Sequence, residues 1–279
     1  MALENYVQAY GMKIYEADYA LFQIAFCHGL QRKQEEKIED LVQLLADFPE
    51  SDYQDDALYE LGRAYERTGK SFEATAQYEK ILQNYDRSNY HRKALLQLGL
   101  INYNNGDFQK SLTEYKEVVE KYAGTPEAQA ALLGIKNNYV EMNNIEAYFA
   151  YTRQIGGGAN VSASEQDSLT YKAAERVYIE GEKSATGQLQ RYLQRYPNGL
   201  FKLNANFYLA ESFYKEGEYS QANQYYTFVA NSPDNLFSEQ ALSRASELTF
   251  NAGKYAESLK LFNQLEQVAD GKWNILKAN

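Results

Sequence analysis

One cysteine, two histidines and four prolines are all that this chain of 279 residues holds of those types. With Cys27 alone, neither an intramolecular disulfide nor a cysteine-built metal site can form. Flanked by Phe22, Ile24, Ala25 and Phe26, it reads as a small core residue. His28 and His91 stand in no H-E-x-x-H arrangement and have no cysteine spaced for zinc, so no metal or other cofactor is expected. His91 is placed at the exposed start of a helix. So little proline suits long helices. No run approaches the ~18 consecutive apolar residues that span a membrane, so no direct membrane insertion is expected. The opening Met-Ala-Leu-Glu-Asn has neither the basic segment nor the apolar run of a signal peptide. Basic residues are outnumbered, 28 against 38 acidic, for a net charge of −10. That balance argues against nucleic acid, whose phosphates need a basic stripe. It is read as keeping a surface rich in tyrosine soluble, attraction of a basic partner being the alternative.

What the chain does have is a repeat. The segment Leu58-Tyr59-Glu60-Leu61-Gly62-Arg63-Ala64-Tyr65 returns about 37 residues later as Leu95-Leu96-Gln97-Leu98-Gly99-Leu100-Ile101-Asn102. Self-similarity at a fixed period of roughly 20–50 residues marks a solenoid. Counting from Gly62, the small position runs Ala25, Gly62, Gly99, Gly134, Ala173, Ala210 and Ser246, at intervals of about 35–39 residues. An apolar residue precedes it in most units: Ile24, Leu61, Leu98, Leu133, Leu209. Glycine ends the first helix at Gly69, Gly106, Gly217 and Gly253, where a left-handed cap is expected. An aromatic follows two residues later at Phe108, Tyr219 and Tyr255. The second helix opens with Ala74, Ser111, Ala222 or Ser258. Four residues on come Tyr78, Tyr115, Tyr226 or Phe262, which puts small and aromatic residues on one helix face.

The order apolar–small–x–x–aromatic, then Gly-x-aromatic-x-x-Ala, then aromatic, resembles the tetratricopeptide repeat, and the likeness runs through essentially the whole chain. It implies an all-α fold, a right-handed α-α superhelix of about seven helix-turn-helix repeats. The chain then reads as a single solenoid over 1–279, with N-terminal repeats at 1–155, a glycine-rich insertion loop at 156–168 and C-terminal repeats at 169–279. The units around Gly134 and Ala173 are degenerate. Gly156-Gly157-Gly158 is the expected flexible break, with Ser162 or Ser164 capping the helix that follows. Phe48-Pro49 and Tyr196-Pro197 stop second helices. Asp52, Ser88 and Thr125 are expected to accept hydrogen bonds from exposed amides near the next helix start. These aromatic-proline ends resemble the longer repeats of bacterial envelope proteins, including outer-membrane assembly lipoproteins. That resemblance implies a periplasmic or cell-envelope location, the cytoplasm being the alternative. Leu3 to Tyr10 reads as the tail of a second helix and Trp273 to Lys277 as the start of a first one, so a segment of a longer array is expected.

Candidate chemistry is sparse. Thr68-Gly69-Lys70-Ser71 resembles the end of a phosphate loop, but it lacks the preceding strand and the earlier glycine. The pairs Glu35/Glu36 and Asp55/Asp56 are adjacent in sequence and so diverge on a helix. No Ser-His-Asp or Cys-His set stands out, and an enzyme is not expected. Binding is the stronger reading. In the resembled family the concave face is built from first-helix residues three before, one after and four after the small position. Those offsets pick out Tyr59, Arg63 and Glu66, then Leu96, Leu100 and Tyr103, then Ala131, Ile135 and Asn138. Later units add Val177, Phe207, Glu211, Tyr214 and Phe250. Tyrosine and arginine are favoured anchors for a protein or peptide. Packing between helices is the other reading for the apolar members. A chaperone-type carboxylate grip is disfavoured, because Tyr59, Leu96 and Ala131 stand where lysine would be needed. The resemblance thus implies a non-enzymatic scaffold that holds a protein or peptide, with a structural spacer within a larger polypeptide as the alternative.

Overall fold

A computed structural model describes residues 2–12, 16–156 and 160–269. Among these residues there are fifteen α-helices and no strand. They fall into two compact units, Met1–Met142 and Asn143–Asn279. The first unit holds α1 (Ala2–Gly11), α2 (Ala17–Leu30), α3 (Gln34–Asp47), α4 (Gln54–Arg67), α5 (Ser71–Asn84), α6 (His91–Asn104), α7 (Phe108–Lys121) and α8 (Pro126–Glu141). The second holds α9 (Ile145–Ile155), α10 (Ala163–Ile179), α11 (Ala185–Arg195), α12 (Lys202–Lys215), α13 (Tyr219–Ala230), α14 (Ser238–Asn251) and α15 (Tyr255–Val268). Within the first unit α2–α7 form three successive helix pairs, and within the second α10–α15 form three more. The expected loop at 156–168 is shorter than that. The Ser162 hydroxyl accepts a hydrogen bond from the Glu165 amide at 3.1 Å, so α10 is already under way at Ala163. Gly157 and Gly158 of the expected break, and Trp273 to Lys277, lie outside the described residues.

The turn inside each pair is closed by backbone hydrogen bonds, to which the Thr68 hydroxyl adds bonds to the Ala64 and Tyr65 carbonyls. Gly69 adopts φ 75°, its amide donates to the Glu66 carbonyl at 3.1 Å, and the Lys70 amide donates to Tyr65 at 2.9 Å. This pair of bonds satisfies carbonyls that a helix end leaves open, and it needs the left-handed conformation that glycine adopts without penalty. Thr68-Gly69-Lys70-Ser71 is therefore a helix end rather than a phosphate loop. The same turn recurs at Gly106, Gly217 and Gly253, while Arg32 takes the positive φ between α2 and α3 and Asn143 takes one just before α9.

Small residues at the repeat position have a measurable cause. A Cβ on Gly62 would lie 2.6 Å from the Tyr78 ring, and one on Gly99 would lie 2.5 Å from the Tyr115 ring. Each second-helix tyrosine thus presses directly on the backbone of its first helix. Tyr78, Tyr192 and Tyr226 are fully buried, and Tyr115 nearly so. Buried polar side chains join neighbouring helices, although Asn138 Oδ1 is left without a partner among the described residues. The Ser111 hydroxyl donates to the Gly99 carbonyl at 2.7 Å, and the Asn138 amide donates to Ser111 Oγ at 2.9 Å and to the Gly134 carbonyl at 2.8 Å. One buried network thereby ties α6, α7 and α8.

Successive first helices are joined by aromatic pillars. Tyr53, Tyr90, Phe201 and Phe237 occupy the N-cap positions of α4, α6, α12 and α14, and none offers its helix a side-chain hydrogen bond. Each stacks instead on the preceding first helix. Centroid separations are 5.5 Å for Tyr53 on Phe22, 4.8 Å for Tyr90 on Tyr59, 4.4 Å for Phe201 on Tyr171 and 4.2 Å for Phe237 on Phe207. Such pairs contribute ~0.5–1.5 kcal/mol beyond the area they bury. That rivals the ~1 kcal/mol of a polar cap. Of the three expected acceptors, Thr125 accepts from the Ala128 amide at 3.2 Å and caps α8. Ser88 accepts from the Tyr90 amide and so orders the turn before α6. Asp52 does not cap α4, because Tyr53 takes that place.

Candidate functional site

The residues picked out by the repeat offsets separate into an enclosed set and an open set. Tyr59, Ile135, Asn138, Val177 and Phe207 are enclosed. Tyr59 and Phe207 stand three before the small residue, where the pillars Tyr90 and Phe237 cover them. Val177 faces inward with Asp167, Tyr171 and Ala174, the buried side of α10. Ile135 and Asn138 face inward because the register of α8 differs from the one expected. The buried residues Ala128, Ala131, Ile135 and Asn138 of α8 each lie 37 positions after His91, Ala94, Leu98 and Ile101 of α6. The equivalent of Gly99 is accordingly Lys136, two residues beyond Gly134.

Glu66 and Glu211 are half-buried and committed to internal partners. Glu66 accepts from the Tyr78 hydroxyl at 2.7 Å. Glu211 accepts from the Tyr226 hydroxyl, and from the Gln240 amide at 3.0 Å. Burial first, and the carboxylate partner next, hold both phenols far above their ordinary pKa, so they stay neutral donors. Tyr214 lies under the Arg244 guanidinium, 4.3 Å from its ring centroid, and accepts a hydrogen bond from it at 3.0 Å. Tyr103 rests against Phe108 and the exposed Phe250 against Tyr255, centroids 5.8 and 5.3 Å apart.

Corrected for register, the first unit carries a row of open side chains. Phe26 on α2, Arg63 on α4, Leu100 on α6 and Asn137 on α8 are spaced by 37 residues. Beside them run Leu96 and Leu133. Phe26, Leu100 and Leu133 are 48%, 43% and 53% exposed, high for large apolar side chains. Arg63 is half-buried, its guanidinium 3.9 Å from Glu66. The helices that carry the row are linked by Tyr53 on Phe22, by Tyr90 on Tyr59, and by Arg92 to Glu127 at 3.3 Å. Lys93 adds its ammonium 4.8 Å from the Tyr90 ring. Phe26 and Leu133 were missing from the sequence reading. A count of 37 from Tyr59 through Leu96 lands on Leu133 and would have found it.

Residues considered for chemistry are otherwise engaged. His28 Nδ1 lies 2.6 Å from Asp40 Oδ2, and burial raises the pKa of Asp40. His91 is buried near Tyr122 rather than exposed, and Cys27 is half-buried and free. Among the described residues no three His, Cys, Asp or Glu side chains come together to hold a metal ion. No described helix is long and apolar enough to cross a membrane.

The tetratricopeptide repeat family model matches residues 19–51, 56–88 and 93–125. No curated protein matches the chain. Solved structures similar to it include a tetratricopeptide repeat protein from Parabacteroides merdae, 14% identical, covering 95% of this chain and 98% of that one with a TM-score of 0.46. The TPR2AB domain of yeast Sti1, solved as a pHSP90 complex, is 14% identical, with 90% of each chain covered and a TM-score of 0.44. Pseudomonas aeruginosa pilF is 17% identical, covering 94% of this chain and 96% of that one at a TM-score of 0.39. The matched stretches hold α2 with α3, α4 with α5 and α6 with α7, each pair turning on a left-handed residue. These three helix pairs are tetratricopeptide repeats.

Proposed function

We propose that the protein holds a protein or peptide segment on the open row of α2, α4, α6 and α8, as a scaffold with no chemistry of its own. The observation that carries this reading is the exposure of Phe26 and Leu100 at equivalent places on first helices, with exposed Leu133 in the adjoining position of α8. Large apolar side chains repeated on one face are what a recognition surface needs. Arg63 among them supplies a polar anchor of the kind enriched at binding hot spots. The test begins with peptides selected from a random display library against the intact chain. Leu100→Asp and Leu133→Asp should each weaken those peptides about tenfold or more, as expected of hot-spot positions, with helicity unchanged by circular dichroism. Undiminished binding to both variants would sink the assignment of this face. A cell-envelope setting belongs to the same proposal and rests on the repeat ends Phe48-Pro49 and Tyr196-Pro197. Fractionation of the native cells tests it, and recovery with cytosolic markers would count against it.

A further inference from the structure

The second unit contains a cleft of about 500 Å³ lined by the start of α9, by α10 and by α11. Little bulk lines it on the α10 side. Helix α9 also has 11 residues against 14 in α5 and α7. Ala173 and Ala174 line the space without filling it.

The polar lining is cationic. Arg191 and Arg195 stand one turn apart on the same side of α11. Arg195 is held in place, its guanidinium 5.5 Å from the ring centroids of Phe149 and of Tyr196 and paired with Glu146. Arg191 uses only Nε, which donates to the Gly187 carbonyl at 3.2 Å. Among the described residues its two terminal amino groups, and the side-chain amide of Gln188, make no hydrogen bond, and both side chains line the cleft. Two guanidinium groups therefore face one carboxylate, and that carboxylate, Glu146, is 64% exposed.

We propose that this cleft takes the carboxylate of an acidic residue, aspartate or glutamate, from a peptide or protein partner. The incoming carboxylate meets the terminal amino groups of Arg191 and the amide of Gln188, while its stem lies against Ala173 and Ile145. Planar, forked recognition of this kind is what arginine provides. Glu146 already sets a carboxylate on Arg195 in the free chain, so it competes with the ligand for the second guanidinium. This site lies in the other unit from the α2–α8 row and shares no residue with it, so either can fail without the other.

The test uses the intact chain with its arginine Nε sites labelled for NMR. The probe is acetyl-Ala-Glu-Glu-Leu-amide, with acetyl-Ala-Gln-Gln-Leu-amide and inorganic phosphate as comparisons. The glutamate peptide should shift the Nε signals of Arg191 and Arg195 saturably, and added salt should weaken it. Glu146→Gln, by freeing Arg195, should tighten binding roughly three- to fivefold, and Arg191→Ala should weaken it by a similar factor followed on Arg195. Both positions are exposed, and circular dichroism confirms that the variants keep their fold. The proposal is overturned by absence of a saturable shift, or by equal response to the glutamine peptide. It is overturned equally by equal response to phosphate, or by a Glu146→Gln affinity no tighter than that of the native chain.

Discussion

Alanine at Gly134 should cost stability even though alanine is the better helix former. A Cβ there would lie 2.3 Å from Tyr115 Cε2 and 2.6 Å from its Cζ. On the opposite edge a Cβ at Gly99 would lie 2.5 Å from Cε1 of the same ring. The ring therefore sits in a slot between two glycines on α6 and α8 and has nowhere to retreat. Helix propensity favours alanine by ~1 kcal/mol, while overpacking of a filled core costs ~1–3 kcal/mol. The net loss is roughly 0–2 kcal/mol for Gly134→Ala. In Gly99→Ala/Gly134→Ala the loss should exceed the sum of the singles, because both substitutions press on one ring. With Tyr115→Leu made first, the slot is empty and Gly134→Ala should stabilise by up to ~1 kcal/mol. Thermal unfolding reads this inversion as a shift of about 2–4 °C per kcal/mol, and amide exchange across α6 to α8 localises it. Equal stabilisation by Gly134→Ala in both backgrounds would refute the reasoning.

Two further outcomes follow from side chains already placed. Phe237→Asn installs a better N-cap, a gain of ~1 kcal/mol, but removes the ring stacked on Phe207, a loss of ~3 kcal/mol or more. The variant should melt lower, and a higher melting temperature would show that the pillar adds nothing. The second outcome concerns alkali. Burial pushes the Tyr115 phenol up to about 12, with Glu114 adding to it, and holds Tyr78, Tyr171, Tyr192 and Tyr226 higher still. A phenol raised in the folded state contributes stability that is complete below its unfolded value of 10.0 and is lost as pH climbs toward the folded value. Melting temperature should fall steadily above pH 10, and these phenols should ionise only as the helices unfold. Titration of all 26 tyrosines as one class, with helicity intact, would contradict this.

The helix pairs were legible because their signals are local. A glycine at a left-handed turn, or a small residue four positions before an aromatic, can be read within one or two turns of chain. The register of α8 was not, because that helix runs to 16 residues where α6 has 14. Gly134 also looks like the repeat glycine while meeting the tyrosine of the preceding pair. The pillars escaped for a different reason. Capping rules look for a polar side chain, whereas Tyr90 and Phe237 serve their helices through partners on the previous repeat. That same fact removed Tyr59 and Phe207 from the open face. At the remaining offset positions of this unit Leu100 is exposed and Arg63, Leu96 and Tyr103 are half-buried.

The pillars also decide where the chain can be cut. A fragment that ends with α13 looks complete by helix count, yet it leaves the Phe207 ring without the Phe237 ring that covers it. A fragment that ends with α5 does the same to Tyr59 by discarding Tyr90. Four of the repeats are finished by one residue borrowed from the successor, and for these the self-sufficient piece is a helix pair plus the first aromatic of the next. Swapping repeats between positions carries the same condition: donor and acceptor rings must travel together, or the new joint opens a fresh apolar surface to water.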